Sequence, residues 1–291
     1  MAAGQGPLVT FPAGDWLDDL VAQSLREDVG AGDVSTAVAV RPGARAGGAL
    51  TARVPGVVSG LPLAALVYRQ IDPGVAVEPL LMDGARVAAG QELARVSGPA
   101  ASLLTGERTV LNFVQYLSGI ATVTARYVDA VAGTRCLVLD TRKTLPGYRA
   151  LAKYAVRCGG GSNHRFGLFD RVLLKDNHWA AGDGIAAMVA RARRNFPALA
   201  IEVEVDTLEQ LTAVLALDVD WIMLDNFEVA SVVSAVAART AAGSATKLEV
   251  SGNVTLETIG AYARTGVDAV SVGRLTQSAP ALDIGLDLDL R

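Results

Sequence analysis

The residues best suited to chemistry in this chain are its scarce ones. Of 26 Lys and Arg only four are Lys (Lys143, Lys153, Lys175 and Lys247), and the two His are His164 and His178. Three of those Lys and both His fall between Asp140 and His178, a window with eight Lys/Arg and three Asp and a balance of +5 in a chain of net charge −4. Charge clusters are most often solvated helix faces. This one is interrupted by Gly159-Gly160-Gly161, which a helix interior disfavours. It ends in Lys175-Asp176-Asn177-His178, directly after the apolar Val172-Leu173-Leu174. Lys in a chain that otherwise uses Arg points to a need for a compact ammonium. Arg142, Lys143, Arg165 and Lys175 therefore suit a pocket for a ligand with several negative charges: Arg grips a carboxylate through paired bonds, Lys acts as a point charge.

Complementary groups lie further on. Glu204 and Asp225 supply hard oxygens suited to Mg²⁺ that also touches phosphate. Ser251-Gly252 and Gly273 offer backbone N–H groups that a phosphate can approach. The combination suggests a phosphorylated sugar or a phosphate leaving group. No Ser–His–Asp order, zinc-type Cys/His spacing or P-loop is present. Cys136 and Cys158 are expected to be buried, inert and reduced. Two residues keep plain structural alternatives: His178 as cap of the helix that follows it, and Asp206 as N-cap of a helix starting at Thr207.

These residues need a scaffold, and 291 residues with 51% hydrophobic content allow one large domain or two ordinary ones. That content excludes dominant disorder, and 2 Cys exclude a disulfide scaffold. No apolar run of about 18 residues predicts a membrane span, and no basic-then-apolar leader opens the chain, so the expected location is the cytoplasm. Net charge −4 and a pI near 5.3 argue against nucleic acid as partner.

Helical spacing of Trp16, Leu17, Leu20, Val21 and Leu25 predicts an amphipathic helix ending at Glu27-Asp28-Val29-Gly30, followed by a turn-rich loop through Asp33. Residues 47–98 read as short strands: Ala49 to Val54, Gly56 to Gly60, Val75 to Glu78 and Glu92 to Val96. The hairpin pattern from Met82 to Leu93 looks like biotinyl and lipoyl carriers, which modify a Lys. Residues 1–142 contain no Lys, so a carrier role is excluded. Residues 101–132 read as helical, with Gly119 as a break.

From Thr134 apolar runs alternate with helical patterns. The six strand candidates are Cys136 to Asp140, Val172 to Lys175, Ile201 to Asp206, Trp221 to Asp225, Leu248 to Ser251 and Ala269 to Gly273. Alternation implies a parallel sheet buried on both faces. Six strands fit an α/β barrel of fewer than eight, or an open doubly wound sheet. Polar residues at every strand's C-terminal end favour the barrel, whose sites lie there.

Longer motifs carry a resemblance. Asp140-Thr141-Arg142-Lys143-Thr144-Leu145-Pro146-Gly147, Lys153-Tyr154-Ala155-Val156, Gly159 to Arg165 and Leu174 to His178 resemble the central signature of the quinolinate phosphoribosyltransferases. Gly106 to Asn112, Ser118 to Thr122, Glu202 to Asp206, Leu224-Asp225-Asn226, Ser251-Gly252-Asn253 and Asp283-Ile284-Gly285 continue it, so that it runs from about Glu27 to the C-terminus. The resemblance implies an N-terminal α/β sandwich, placed at 1–118, and a C-terminal α/β barrel of about six strands, placed at 119–291, whose last segment packs back on the first domain. It implies transfer of phosphoribosyl from phosphoribosyl pyrophosphate to quinolinate with Mg²⁺, giving nicotinate mononucleotide, pyrophosphate and CO₂, a step of de novo NAD synthesis. It implies a homodimer in which Arg108 reaches the partner's site. Arg142, His164, Arg165 and Lys175 would hold the quinolinate carboxylates, and Lys143 would touch both substrates. Glu204 and Asp225 would hold ribose hydroxyls and metal; Ser251, Gly252 and Gly273 would hold the 5′-phosphate.

The chain departs from the pattern at Gln277, where the family often has His, and at Arg274, where a small residue is common; Gln can hydrogen-bond phosphate but carries no charge, and Arg274 could compensate. Three other readings are weighed. One is a related transferase of the same fold acting on nicotinate or a different acceptor; a monocarboxylate would not need so many cations. Another is a Schiff-base aldolase with Lys175 or Lys143 as nucleophile. The third is a non-catalytic binder of phosphorylated ligands.

Overall fold

The computed structural model describes residues 9–175, 178 and 183–290. The first helix, α1 (Asp15–Val29), turns Leu17 and Val21 inward, and Asp33 then caps the short α2 (Val34–Ala39) by accepting from Thr36 N at 2.9 Å. Along the next stretch come β1 (Arg45–Ala52), β2 (Gly56–Val57), α3 (Leu61–Ile71), β3 (Ala76–Pro79), β4 (Arg86–Val87) and β5 (Glu92–Pro99). The helix α3 corrects the all-strand reading of 47–98, and the Gly56 to Gly60 strand shrinks to two residues. Gly60, left-handed at φ 95°, and Pro62 start α3, and its apolar face buries Leu63, Val67 and Tyr68.

The 31-residue α4 (Ala100–Ala130) runs through Gly119 without a break, a second correction. Gly119 serves close packing instead, since a Cβ there would lie 2.1 Å from the Pro280 carbonyl oxygen. No described helix is long and apolar enough to cross a membrane.

The remaining strands are β6 (Leu137–Leu139), β7 (Val172–Leu174), β8 (Ile201–Val205), β9 (Trp221–Asp225), β10 (Lys247–Ser251), β11 (Ala269–Ser271) and β12 (Ile284–Leu290). Between them lie α5 (Arg149–Cys158), α6 (Ile185–Asn195), α7 (Leu208–Leu215), α8 (Val229–Ala241), α9 (Leu256–Ala263) and α10 (Arg274–Gln277).

The chain divides into two units. The first comprises 1–125, 150–160 and 278–291. Its antiparallel sheet has the order β12-β1-β5-β3, so the C-terminal strand pairs with β1 along its length, from Ala46↔Leu290 to Ala52↔Ile284. The second comprises 126–149 and 161–277 and holds the parallel sheet β6-β11-β10-β9-β8-β7. Its first strand in sequence, β6, pairs with its last, β11. With β7 to β11 following in sequence order beside one another, that pairing gives the strand order of a barrel rather than of a doubly wound sheet. The seam falls between β6 and β7. Beside β6, ahead of β7 in the chain, Leu139 makes a parallel bridge with Ser162, with Ser162 N donating to Val138 O at 2.8 Å and Asp140 N to Ser162 O at 3.1 Å. Ile201, Val203, Val205, Ile222, Leu224, Leu248 and Val250 are buried. Full burial of each such larger side chain contributes roughly 1.5–3 kcal/mol.

Candidate active site

Every strand of the second unit ends at one rim, and each contributes a polar group there or just beyond: Asp140, Lys175, Asp206, Asp225, Ser251 and Gly273. Side chains alternate along a strand, so Glu202 and Glu204 share a face, as do Trp221, Met223 and Asp225, and Lys247, Glu249 and Ser251. His164 Nε2 lies 3.0 Å from Glu202 Oε2 on β8 and 3.6 Å from Glu249 Oε2 on β10. One imidazole reaches across β9 to both, so this face is the inside of the ring. Arg171 and Lys247 lie over the Trp221 ring, at 5.5 Å and 5.0 Å from its centroid. The interior is thus layered. Arg171, Trp221 and Lys247 form the floor, His164, Glu202 and Glu249 the middle, and Lys175, Glu204, Asp225 and Ser251 the mouth.

At the mouth Lys175 Nζ pairs with Glu204 Oε2. Burial raises the Asp225 carboxyl above its ordinary value, the neighbouring Asp206 adds to this, and Lys175 and Lys143 oppose it. Asn226 donates to Asp225 Oδ2 at 2.7 Å. The turns beyond β9 and β10 are left-handed, with Asn226 at φ 54°, Gly252 at 96° and Asn253 at 50°. Only Gly fits at 252, where a Cβ would lie 2.2 Å from Asn226 Oδ1. At Gly273 a Cβ would sit 3.0 Å from Lys143 Cδ and 3.7 Å from both Lys143 Nζ and Gln277 Oε1. Lys143, Gly273 and Gln277 therefore face one spot. Thr276 holds the Lys143 carbonyl at 2.8 Å. The charge of Arg274 acts on Tyr127 and Glu257.

The charge of Arg142 acts on the Arg165 guanidinium. Burial, and then the Arg142 charge, press the Arg165 guanidinium below its ordinary range. Arg142 Nε is buried and meets no hydrogen-bond acceptor among the described residues. Two cations that act on one another, one of them with a buried unused donor, are electrostatically complementary to a dianion.

Arg149, which sequence reasoning does not single out, secures this segment. It donates to Thr144 Oγ1 at 3.2 Å, Phe166 O at 3.0 Å and Arg142 O at 3.4 Å. Asp140 is fully buried and accepts from His164 N at 2.9 Å and Asn163 Nδ2 at 2.6 Å.

The basic island is two things. Arg142, Lys143, Arg165 and Lys175 belong to the second unit, whereas Lys153 and Arg157 lie on the part of α5 that belongs to the first. Arg108 is exposed on α4 in the first unit. His164 is 7% exposed, with both ring nitrogens engaged: Nδ1 accepts from Arg165 N at 2.7 Å and Nε2 faces Glu202. Asp206 is not the N-cap of α7. Thr207 is, because Gln210 three residues later completes a capping box with it. His178 Nδ1 accepts from Lys175 N at 2.9 Å; Asp176, Asn177 and the segment after His178 lie outside the described residues. Cys136 and Cys158 are free and buried, and burial pushes their thiols up to about 12 and about 11.

A ring of six parallel strands with a cationic mouth defines an α/β-barrel protein that takes a small polyanion at the strands' C-terminal ends. The family models for the quinolinate phosphoribosyl transferase N-terminal and C-terminal domains match residues 33–118 and 120–287. A nicotinate-nucleotide pyrophosphorylase [carboxylating] of Mycobacterium leprae is 48% identical over 273 residues, 93% of this chain and 96% of that protein. A probable enzyme of the same name from Synechocystis is 41% identical over 292 residues, 99% of this chain and 98% of that one. The solved nicotinate-nucleotide pyrophosphorylase of Francisella tularensis superposes with a TM-score of 0.91 at 39% identity, covering 99% of this chain and all of that one. This chain belongs to the quinolinate phosphoribosyl transferase family.

Proposed function

We infer that this chain transfers phosphoribosyl from phosphoribosyl pyrophosphate to quinolinate and releases CO₂, forming nicotinate mononucleotide and pyrophosphate in NAD biosynthesis. The observation that carries the reading is the Arg142–Arg165 pair, with a buried, unused Nε on Arg142 and Lys143 and Lys175 in the same unit. A dicarboxylate repays the cost of holding these charges together, whereas a monocarboxylate such as nicotinate leaves one cation unmatched.

In this reading Arg142, Arg165 and Lys175 orient the two carboxylates. The pyridine nitrogen then attacks C1 of the ribose as its bond to pyrophosphate breaks. The ring nitrogen becomes cationic and accepts the electron pair left when the adjacent carboxylate departs as CO₂; the ring carbon then takes a proton. Lys143, beside Gly273, steadies the phosphoribosyl group, and the backbone of Ser251, Gly252 and Gly273 receives its 5′-phosphate. Gln277 adds a neutral hydrogen-bonding group at that spot.

Glu204 and Asp225, on adjacent strands, suit Mg²⁺, which uses one or two carboxylates and fills its shell with water and phosphate oxygens. When bound, Mg²⁺ supplies positive charge to the departing pyrophosphate. The same two carboxylates accept from the ribose hydroxyls. The enzyme works as a homodimer in the cytoplasm, and the exposed Arg108 completes the partner's pocket.

The test is CO₂ release from carboxyl-labelled quinolinate, with phosphoribosyl pyrophosphate and Mg²⁺ omitted one at a time. Release that needs both, matched by nicotinate mononucleotide, is the expected result. No release from folded protein overturns the assignment. A borohydride-trapped adduct on Lys175 or Lys143 would move it to a Schiff-base enzyme.

A further inference from the structure

Beneath the mouth, in the middle layer of the barrel interior, two carboxylates are closed off from water. Glu202 on β8 and Glu249 on β10 are both fully buried, and the reaction described above uses neither. One of their four oxygens is well supplied: Arg171 Nη1 donates to Glu202 Oε2 at 3.1 Å, and His164 Nε2 lies 3.0 Å from the same atom. The other three are bare. Glu202 Oε1, Glu249 Oε1 and Glu249 Oε2 are buried and meet no hydrogen-bond partner among the described residues. His164 Nε2 is 3.6 Å from Glu249 Oε2, too far for a hydrogen bond.

A carboxylate survives in a protein interior when it is paired or holds a metal. Glu202 has Arg171; Glu249 has no equivalent. Both carboxylates contribute an atom to a cluster whose members lie within 4.8 Å of one another, so an ion between them reaches each at an ordinary cation–oxygen distance of about 2.4 Å. Carboxylate oxygens are hard ligands and suit hard cations rather than softer transition metals. Charge then selects among the hard ones. Arg171 balances Glu202, which leaves a single negative charge for a single positive one. Mg²⁺ brings two, demands near-ideal octahedral geometry and keeps several waters. A proton is the rival occupant, because burial, and then the Glu202 charge, push the Glu249 carboxyl well above its ordinary value. A proton serves one bare oxygen, whereas a cation serves all three.

We propose that the barrel interior holds a monovalent cation of the sodium or potassium class, bound by Glu202 Oε1 and both carboxylate oxygens of Glu249, with water completing its shell. The site is distinct from Glu204 and Asp225, the pair suited to Mg²⁺ at the mouth. Its role is structural. The ion ties β8 to β10 across β9, and those three strands carry Glu204, Asp225 and Ser251 to the mouth. The proposal stands whether or not the substrate is quinolinate.

The test is thermal unfolding of the substrate-free, Mg²⁺-free protein, dialysed exhaustively into choline chloride and then moved into sodium, potassium or choline chloride at equal ionic strength. Choline is too large for the gap between the two carboxylates. Wild type is expected to melt about 3 °C or more higher in sodium or potassium chloride than in choline chloride, because an ion that binds only the folded state stabilises it. The salt with the larger shift identifies the ion. Glu249→Gln keeps the side chain's shape and removes its charge, and it is expected to melt at one temperature in all three salts. Wild type that melts alike in all three overturns the proposal, and that result is read without any variant. A shift that Glu249→Gln retains in full belongs to another place on the protein and overturns it too. If Glu249→Gln fails to fold, wild-type crystals grown in the stabilising salt decide. Density bonded to both Glu202 and Glu249 at cation–oxygen distances supports the site; water or no density there overturns it.

Discussion

Asp225 shows how one residue serves function at a cost to the fold. Its carboxyl sits above the ordinary range because burial and Asp206 disfavour its charge more than Lys175 and Lys143 favour it. The folded protein therefore binds this proton more tightly than the unfolded chain, and stability falls as pH rises from the ordinary aspartate value through the raised one. Above the raised value wild type bears the charged form's cost in full. Asp225→Asn cannot ionise, so it is expected to melt no lower than wild type at pH 7, while turnover falls about a hundredfold or more. Calorimetry and initial rates on the same preparations check both halves. A variant that melts lower would mean that the bonds of Asp225 outweigh its desolvation. At this scale much of the mouth is legible in the sequence: scarce Lys among many Arg marks Lys143 and Lys175, and polar strand ends mark Asp225. Glu202 and Glu249 are not, because a polar residue in an alternating strand reads as solvent-facing. Only ring closure turns that face into an interior.

At the scale of elements the six strands of the second unit are legible because each is a short apolar run with a polar end. The helix α3 escapes a reading of the sequence because Leu61-Pro62-Leu63 between glycines resembles a strand with a turn, and its helical face shows only when Val67 and Tyr68 are seen to pack with it. Gly119 is the reverse case: a glycine that reads as a break is a contact surface for the 280 carbonyl. Gly119→Val forces the chain near Pro280 away and adds a β-branched residue to the helix, so it is expected to destabilise by about 1–3 kcal/mol or more. Thermal unfolding of the variant measures this. An unchanged melting temperature would show that the 280 segment yields freely.

For the whole molecule, Arg108 lies in one unit and Arg142, Lys143, Arg165 and Lys175 in the second. If a dimer builds each pocket from two chains, Arg108→Ala and Lys175→Ala are each inactive as pure proteins, and mixing them under exchange restores activity through hybrid dimers with one intact pocket. Activity regained on mixing is the expected outcome, and mixtures that stay inactive despite exchange remove Arg108 from the shared site. The division into units is the least legible feature. Patterning along the chain predicts which residues form α5 or β12 but carries no label for which core they join, because that choice is made by contacts far apart in sequence.

The pairing of β12 with β1 has a consequence for how the protein comes into being. The sheet of the first unit holds a strand ending at Ala52 against one beginning at Ile284, and Arg53 meets Asp287 across 234 positions. On the ribosome, the amino-terminal half emerges long before its last strand exists. Until then the open edge of β1 is exposed to its crowded surroundings, where unpaired edges invite association. The barrel residues, by contrast, are synthesised before β12 and can close their ring without it. The first part of this protein to be made is thus the last to be finished.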